Sequence, residues 1–353
     1  MMNNRFLFDS GEIYNFAGCM FRVAFYDTYK KTLESVQFVH GDEFLESTVK
    51  KIKENIGNEM LEDFNFFMNE ETVFAAGILV LWVEKNIKTV EDLISIMEGM
   101  DSEYLITYLI VNDNNLTMQK IKELKADIRE LYRYIEDNIT FSEENKWRLL
   151  AMINDPDKYK GRFTNFIRNF YEQHYKPLSD IARNNVNTKS IDTLEYIEGD
   201  PENRIKELTL IDTEKDNSRR IIIGFSYFTE FGVSIVDSPV TNTSIVLMGT
   251  RHMEISRLNN MESLTDESLV EICKVIGDKT RIEMLKIMKS GPIYGTQVAE
   301  KFKMSNPAVS YHMDLLFAAG LVTAQKEGHR LYYYLKPARI EQVIKYLNNL
   351  IRM

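Results

Sequence analysis

The segment Met304–Val322 reads MSNPAVSYHMDLLFAAGLV. The hydroxyls and the amide of Ser305, Asn306, Ser310 and Tyr311 donate and accept hydrogen bonds; their chemistry is recognition, not bond making. Ser305 reads as an N-cap, because its hydroxyl accepts from an orphan amide in the first helical turn. Pro307 falls in that turn, where its missing N–H costs nothing. Gly320 follows the last periodic residue and supplies a left-handed C-cap. At about 100° per residue, Val309, Met313 and Leu316 share one helix face. Asn306, Pro307, Ser310, Tyr311 and Asp314 share the other. A helix seated on its apolar face presents small, hydrogen-bonding groups outward. A DNA major groove ~12 Å wide admits such a helix, with its N-terminal residues at the base edges.

Those groups need elements that hold them. GTQVAEKFK carries a matching apolar stripe at Val298, Ala299 and Phe302, and only a tight turn separates it from the next helix. Two helices so joined form a helix-turn-helix pattern. In LVTAQKEGHRLYYYL, strand-like runs flank KEGH, so a hairpin follows with Lys326, His329 and Arg330 at its tip. Cations there reach backbone phosphates or a minor groove. ESLVEICKVIG and TRIEMLKIMKSG precede this unit as helices, and ARIEQVIKYLNNLI closes it. Residues 264–353 therefore read as a winged helix-turn-helix domain. Charge agrees. The chain carries −10 overall, but residues 278–353 hold twelve Lys+Arg against six Asp+Glu. A basic module on an acidic body can still neutralise phosphates, because the attraction is local and screened within ~8–10 Å.

Residues 1–258 read as a separate α+β domain, a sensor or dimerisation part. Helical spacing dominates residues 1–190. EIYNFAGCMFRVAFYDTY is one example, and NDPDKYKGRFTNFIRNFYEQHYKPL opens on an Asn-Asp-Pro helix start. Then LTLID, RIIIGFSYF, GVSIVDS and SIVLMG are short β-branched runs, expected to form a small antiparallel meander at about 206–250. The fold class is α+β: a mainly helical N-terminal domain with a small antiparallel sheet, then the winged domain.

Other function classes lack their signatures. No G-x-G-x-x-G, phosphate-loop or G-x-S-x-G pattern occurs, so no enzyme is expected. The five His have no metal-like spacing, and no metal or cofactor is expected. Cys19 and Cys273 are too few for a disulfide framework, which fits a reducing compartment. Both read as core thiols, and His312, at the edge of an apolar face, reads as a structural hydrogen-bonder. VFAAGILVLWV is too short to span a bilayer, and no signal-peptide pattern occurs; a cytoplasmic protein without a membrane partner is expected.

The motifs VIGDKTRIEMLKIM, YGTQVAEKF, MSNPAVSYHMDLLFAAGLV and EGHRLYYYL resemble the ArsR/SmtB-type bacterial transcriptional regulators over about Leu269 to Leu350. The resemblance implies a homodimer on a near-palindromic double-stranded DNA operator, usually repressing. By it, Ser310 and Tyr311 match base-reading positions, and Ser305 and Asn306 match the start of the recognition helix. ENKWRLLAMINDPDKYKGRFTNFIRNFYEQHY and MGTRHME resemble a large N-terminal domain that some such regulators carry, which implies no known ligand. An unidentified small-molecule effector there stays open. Departures are clear. The third helix and the last contain neither Cys nor His, so both usual metal sites are missing. Asp314 stands where a basic residue is common; it repels phosphate but can accept from a cytosine amino group. The usual wing Arg is replaced by His329 or shifted to Arg330.

Dimerisation has its own pattern. Ile340, Val343, Ile344 and Leu347 recur along the last helix, and Leu269, Ile272 and Ile276 along the first, each at helical steps. A domain this small does not need both stripes for its own core, so they are expected to pair across a two-fold axis. Two other readings remain open: a protein-interaction module whose winged helix has lost DNA, and an enzyme with a DNA-binding tail.

Overall fold

The computed structural model describes residues 5–35, 41–69, 71–110, 116, 118–139, 141–209, 211, 218–238, 241–254, 256, 264–304, 306–327 and 330–351. The chain forms two compact units. One takes Met1–Tyr26, Ser47–Ile191 and Ser218–Thr250, the other Asp27–Glu46, Asp192–Asn217 and Arg251–Met353.

In the first unit, β1 (Phe6–Phe8), β2 (Arg220–Ser226), β3 (Val233–Ser238) and β4 (Thr243–Gly249) form a sheet in the order β1-β2-β4-β3. β4 is buried throughout, and so is β2 after its first residue. A strand without alternation is one covered on both faces. Helix α1 (Glu12–Ala24) packs on β2 at a distance only glycine permits. A Cβ on Gly18 would stand 2.0 Å from Ser226 Oγ, and one on Gly224 would stand 2.1 Å from the Tyr14 ring. Asp9 fixes the entry to α1. Its Oδ2 accepts from the Tyr14 hydroxyl at 3.1 Å and from Trp82 Nε1, on α2 (Gly77–Lys85), at 3.2 Å. Helix α3 (Pro156–Phe170) starts as its sequence dictates: Pro156 occupies the first turn and Asp155 accepts from the Lys158 amide. Its Phe163, Phe166 and Phe170 are fully buried. Phe166 meets Phe64 edge-on with centroids 4.9 Å apart, and Phe163 meets Phe67 edge-on at 5.0 Å. The Phe-rich N-terminal sequence thus becomes an aromatic core.

In the second unit, α4 (Asp266–Ile276), α5 (Lys279–Met288), β5 (Ile293–Tyr294), α6 (Gly295–Phe302), α7 (Asn306–Ala318), β6 (Val322–Glu327), β7 (Arg330–Leu335) and α8 (Pro337–Ile351) follow in chain order. The strands form an antiparallel sheet β5-β7-β6, so the unit holds a winged helix-turn-helix.

The α+β class holds, but the N-terminal sheet is mixed, not antiparallel. β1 and β4 flank β2 in parallel, and only β3 runs antiparallel, to β4. It is no meander either, because β4 lies between β2 and β3. β1 arrives from more than two hundred residues away, which strand patterning along the chain cannot register. The first two residues of LTLID, Leu208 and Thr209, are not in a strand but end a helix, Pro201–Thr209.

Replacing Gly224 by Ala should cost about 1–3 kcal/mol, the usual range for overpacking a tight core. Thermal and denaturant unfolding of the full chain measure this; unchanged stability would contradict the close seating of α1 on β2.

Candidate nucleic-acid interface

Each helix of the winged unit starts where its sequence supplies a cap. Thr265 and Ser268 form a capping box at α4, and Asp278 accepts from the Arg281 amide at 2.9 Å to begin α5. Arg281 Nε reaches back to the Val275 carbonyl at 2.6 Å, placing a cation on the C-terminal turn of α4. The turn between α6 and α7 closes through Lys303, held left-handed at φ +52, while the Met304 amide donates to the Ala299 carbonyl at 3.0 Å.

Helix α7 packs on α6 and α5. Its Val309, Met313 and Leu316 are buried at 2%, 0% and 0% exposure, the face that periodicity selected. Its end is a Schellman motif at Gly320, φ +69. Gly320 N–H donates to the Phe317 carbonyl at 2.8 Å and Leu321 N–H to that of Leu316 at 2.9 Å. Leu316 and Leu321 are both fully buried, which adds the apolar contact usual in this motif.

Asn306 and Ser310 lie in the first turns of α7, and Tyr311 is half-buried with its ring edge-on to His312 at 5.3 Å. Ser305 and His329 lie outside the described residues. In the wing, Lys326 pairs with Leu331 and Glu327 with Arg330. Tyr333 is buried, while Tyr332 and Tyr334, on the alternate face, are half-buried.

Two ionisable groups on α7 went beyond what periodicity shows. Asp314 is exposed. Protein crowding around its carboxyl would push its pKa up to about 7. Water reaches the residue, however, and hydration opposes that effect, so the carboxylate is the form to expect at neutral pH. Burial, then the Asp314 charge, raises the Tyr333 phenol, so the two groups sit close together. His312 was expected to be a satisfied hydrogen-bonder. Instead its Nδ1 is buried with no hydrogen-bond partner among the described residues. Burial lowers its pKa, with Asp278 opposing and Arg281 adding to the shift.

The expected pairing stripes divide. Leu269, Ile272 and Val343 are buried within their own unit, and Ile276 and Ile340 are half-buried. Ile344 and Leu347 stand exposed at 53% and 40%, as do Leu350 and Val270. The Tyr346 hydroxyl bonds Asp266, which brings α8 beside α4. Cys273 is exposed, not a core thiol, because it falls on the side of α4 away from Ile272. Cys19 is buried as expected, and burial raises its thiol pKa.

The fold and this arrangement define a winged helix-turn-helix protein. Residues 278–324 match the family described as bacterial regulatory protein, arsR family. An uncharacterised HTH-type transcriptional regulator of Methanocaldococcus jannaschii is 34% identical over 24% of this chain and 96% of its own length. The arsenical resistance operon repressor of Staphylococcus aureus is 33% identical over 23% of this chain and 79% of its own. The transcriptional repressor SdpR of Bacillus subtilis is 30% identical over 23% of this chain and 89% of its own. A crystal structure titled as a possible transcriptional regulator for arsenical resistance is 30% identical over 22% of this chain and 82% of its own, with a TM-score of 0.21. Through its C-terminal quarter, the chain belongs to the ArsR family of bacterial regulatory proteins. Among the described residues no helix is long and apolar enough to cross a membrane.

His312 sets a pH dependence. Its folded pKa lies below the ordinary 6.5, so the unfolded chain takes up a proton that the folded chain refuses. The stability this contributes is full above pH 6.5 and falls as pH drops toward the folded pKa. Urea unfolding from pH 7.5 to 5.5 should therefore show a steeper acid loss in the native protein than in His312→Asn. Parallel curves would contradict a buried neutral imidazole.

Proposed function

We propose that the chain is a DNA-binding transcriptional repressor acting as a homodimer. Helix α7 enters the major groove of a double-stranded operator, with Ser305, Asn306, Ser310 and Tyr311 at the groove. The wing, through Lys326, His329 and Arg330, meets the flanking backbone. The observation that carries this reading is the complete burial of Val309, Met313 and Leu316, which turns the opposite face of α7 outward. The repressors among its relatives favour repression. The exposed Ile344 and Leu347 offer the apolar surface for a second copy, with Leu269, Ile272, Ile276, Ile340 and Val343 supporting it from behind. The usual family metal sites have no Cys or His in this sequence, so the signal is something other than metal at those sites. Residues 1–258 act as the sensing and dimer-setting part, residues 264–353 bind DNA, and the protein works in the cytoplasm without an enzymatic step.

The test is titration of the full chain against its own promoter by fluorescence anisotropy. Ser310→Ala and Tyr311→Ala should each weaken binding by about 1–3 kcal/mol, the worth of a good base contact. The slope of log affinity against log salt should stay the same, because phosphate contacts are untouched. Leu347→Glu should leave a monomer that binds weakly. Unchanged affinity in all three variants would overturn the assignment. Complete absence of DNA binding at low salt would favour the protein-interaction reading that the exposed Asp314 motivates.

A further inference from the structure

The turn between α6 and α7 carries a residue type that its backbone does not favour. Lys303 is held at φ 52, ψ 45, in the left-handed region. A Cβ crowds the following carbonyl oxygen there, so glycine takes this conformation without steric cost and lysine does not. The turn itself uses only the Lys303 amide, which donates to the Ala299 and Glu300 carbonyls and ends α6. Glycine would supply the same amide. Capping therefore leaves the lysine side chain without a task.

The other residues in this conformation have one. Apart from glycines, the described residues with positive φ are Asn86, Glu230, Asn242 and Lys303. Asparagine tolerates the left-handed region, and both asparagines also bond through their side chains. Asn86 Oδ1 accepts from Lys88 Nζ at 2.7 Å, and Asn242 Nδ2 donates to the Ser218 hydroxyl at 3.0 Å. Glu230 holds a buried ion pair with Arg22 at 3.5 Å. Lys303 is exposed, and its ammonium makes no ion pair or hydrogen bond among the described residues. Glu300, one turn back and also exposed, does not engage it.

Position in the fold selects the partner. Asn306, the first residue of α7, is three residues on, so the two Cα atoms lie within about 11 Å at 3.8 Å per residue. In a helix-turn-helix the second helix enters the major groove while the first crosses the sugar–phosphate backbone. The end of α6 thus stands at the backbone when α7 is in the groove. A compact ammonium on a flexible stem suits a phosphate as a point charge and carries no base readout. We propose that Lys303 is a phosphate contact of the operator complex, occupied by lysine where glycine would fit the turn better. The proposal rests on the DNA-binding reading and adds to it a contact that lies in neither α7 nor the wing.

The test titrates the full chain with its promoter duplex and with a scrambled duplex of equal length, by fluorescence anisotropy over a range of salt. Lys303→Gly should keep the urea unfolding midpoint at or above the native value, because the backbone strain is relieved. It should flatten the slope of log affinity against log salt by about 0.9 per protomer bound, roughly an eightfold loss at about 0.1 M salt. The loss should be the same on both duplexes, since phosphate carries no sequence. Lys303→Arg keeps the charge and should hold the native slope. An unchanged slope in Lys303→Gly, while the native chain binds DNA, would overturn the proposal and leave the DNA-binding reading standing. So would an equal loss in Lys303→Arg, or a loss confined to the promoter duplex. A lowered unfolding midpoint in Lys303→Gly would return the side chain to a structural role and overturn it as well. A native chain that binds neither duplex at low salt would overturn the DNA-binding reading, and this contact with it.

Discussion

The burial of one face of α7 governs the rest of this structure. Val309, Met313 and Leu316 are excluded from water, each worth about 1.5–3 kcal/mol relative to exposure. Rolling the helix by half a turn would forfeit most of that, so its orientation about its own axis is fixed thermodynamically. The Schellman end at Gly320 and the left-handed Lys303 at the preceding turn then fix where the helix starts and stops. The start of α7 suits recognition of an anionic backbone, because the first amides of a helix have no intrahelical partner and carry the positive end of its dipole.

Electrostatics add selectivity to this geometry. Residues 278–353 supply twelve cationic residues against six acidic ones, in a chain whose net charge is −10. The module attracts a phosphate backbone at close range, where the acidic remainder is screened. Asp314 works against that attraction on α7 itself. A carboxylate there repels phosphate, and the partner on DNA that it suits is a base amino group.

Much of the winged unit was legible from local pattern. The apolar spacing of α7, the Gly320 cap and the two strands of the hairpin all depend on residues within a few positions of one another, and the structure has them, with Lys326 and Glu327 of KEGH drawn into β6. The N-terminal sheet was legible only as strands. RIIIGFSYF and SIVLMG gave β2 and β4, but their parallel pairing, and the arrival of β1 beside β2, are long-range facts without a short-range signature. The Gly18 and Gly224 contacts against Ser226 and Tyr14 belong to the same class. Cys273 and His312 were misjudged because helical periodicity assigns a face, not the depth or the partners at its edge. The exposed Trp147 could not be seen at all, since an aromatic in a helical stretch usually belongs to the core.

The central claim is that the start of α7 meets DNA. Hydrogen–deuterium exchange on the full chain, with and without its promoter duplex, tests it most directly. The account predicts slowed exchange at the first-turn amides of α7 and at the wing on adding DNA. It predicts no change along α3 of the first unit. Exchange at the start of α7 that stays the same while DNA is bound, with protection appearing on α3 instead, would contradict it.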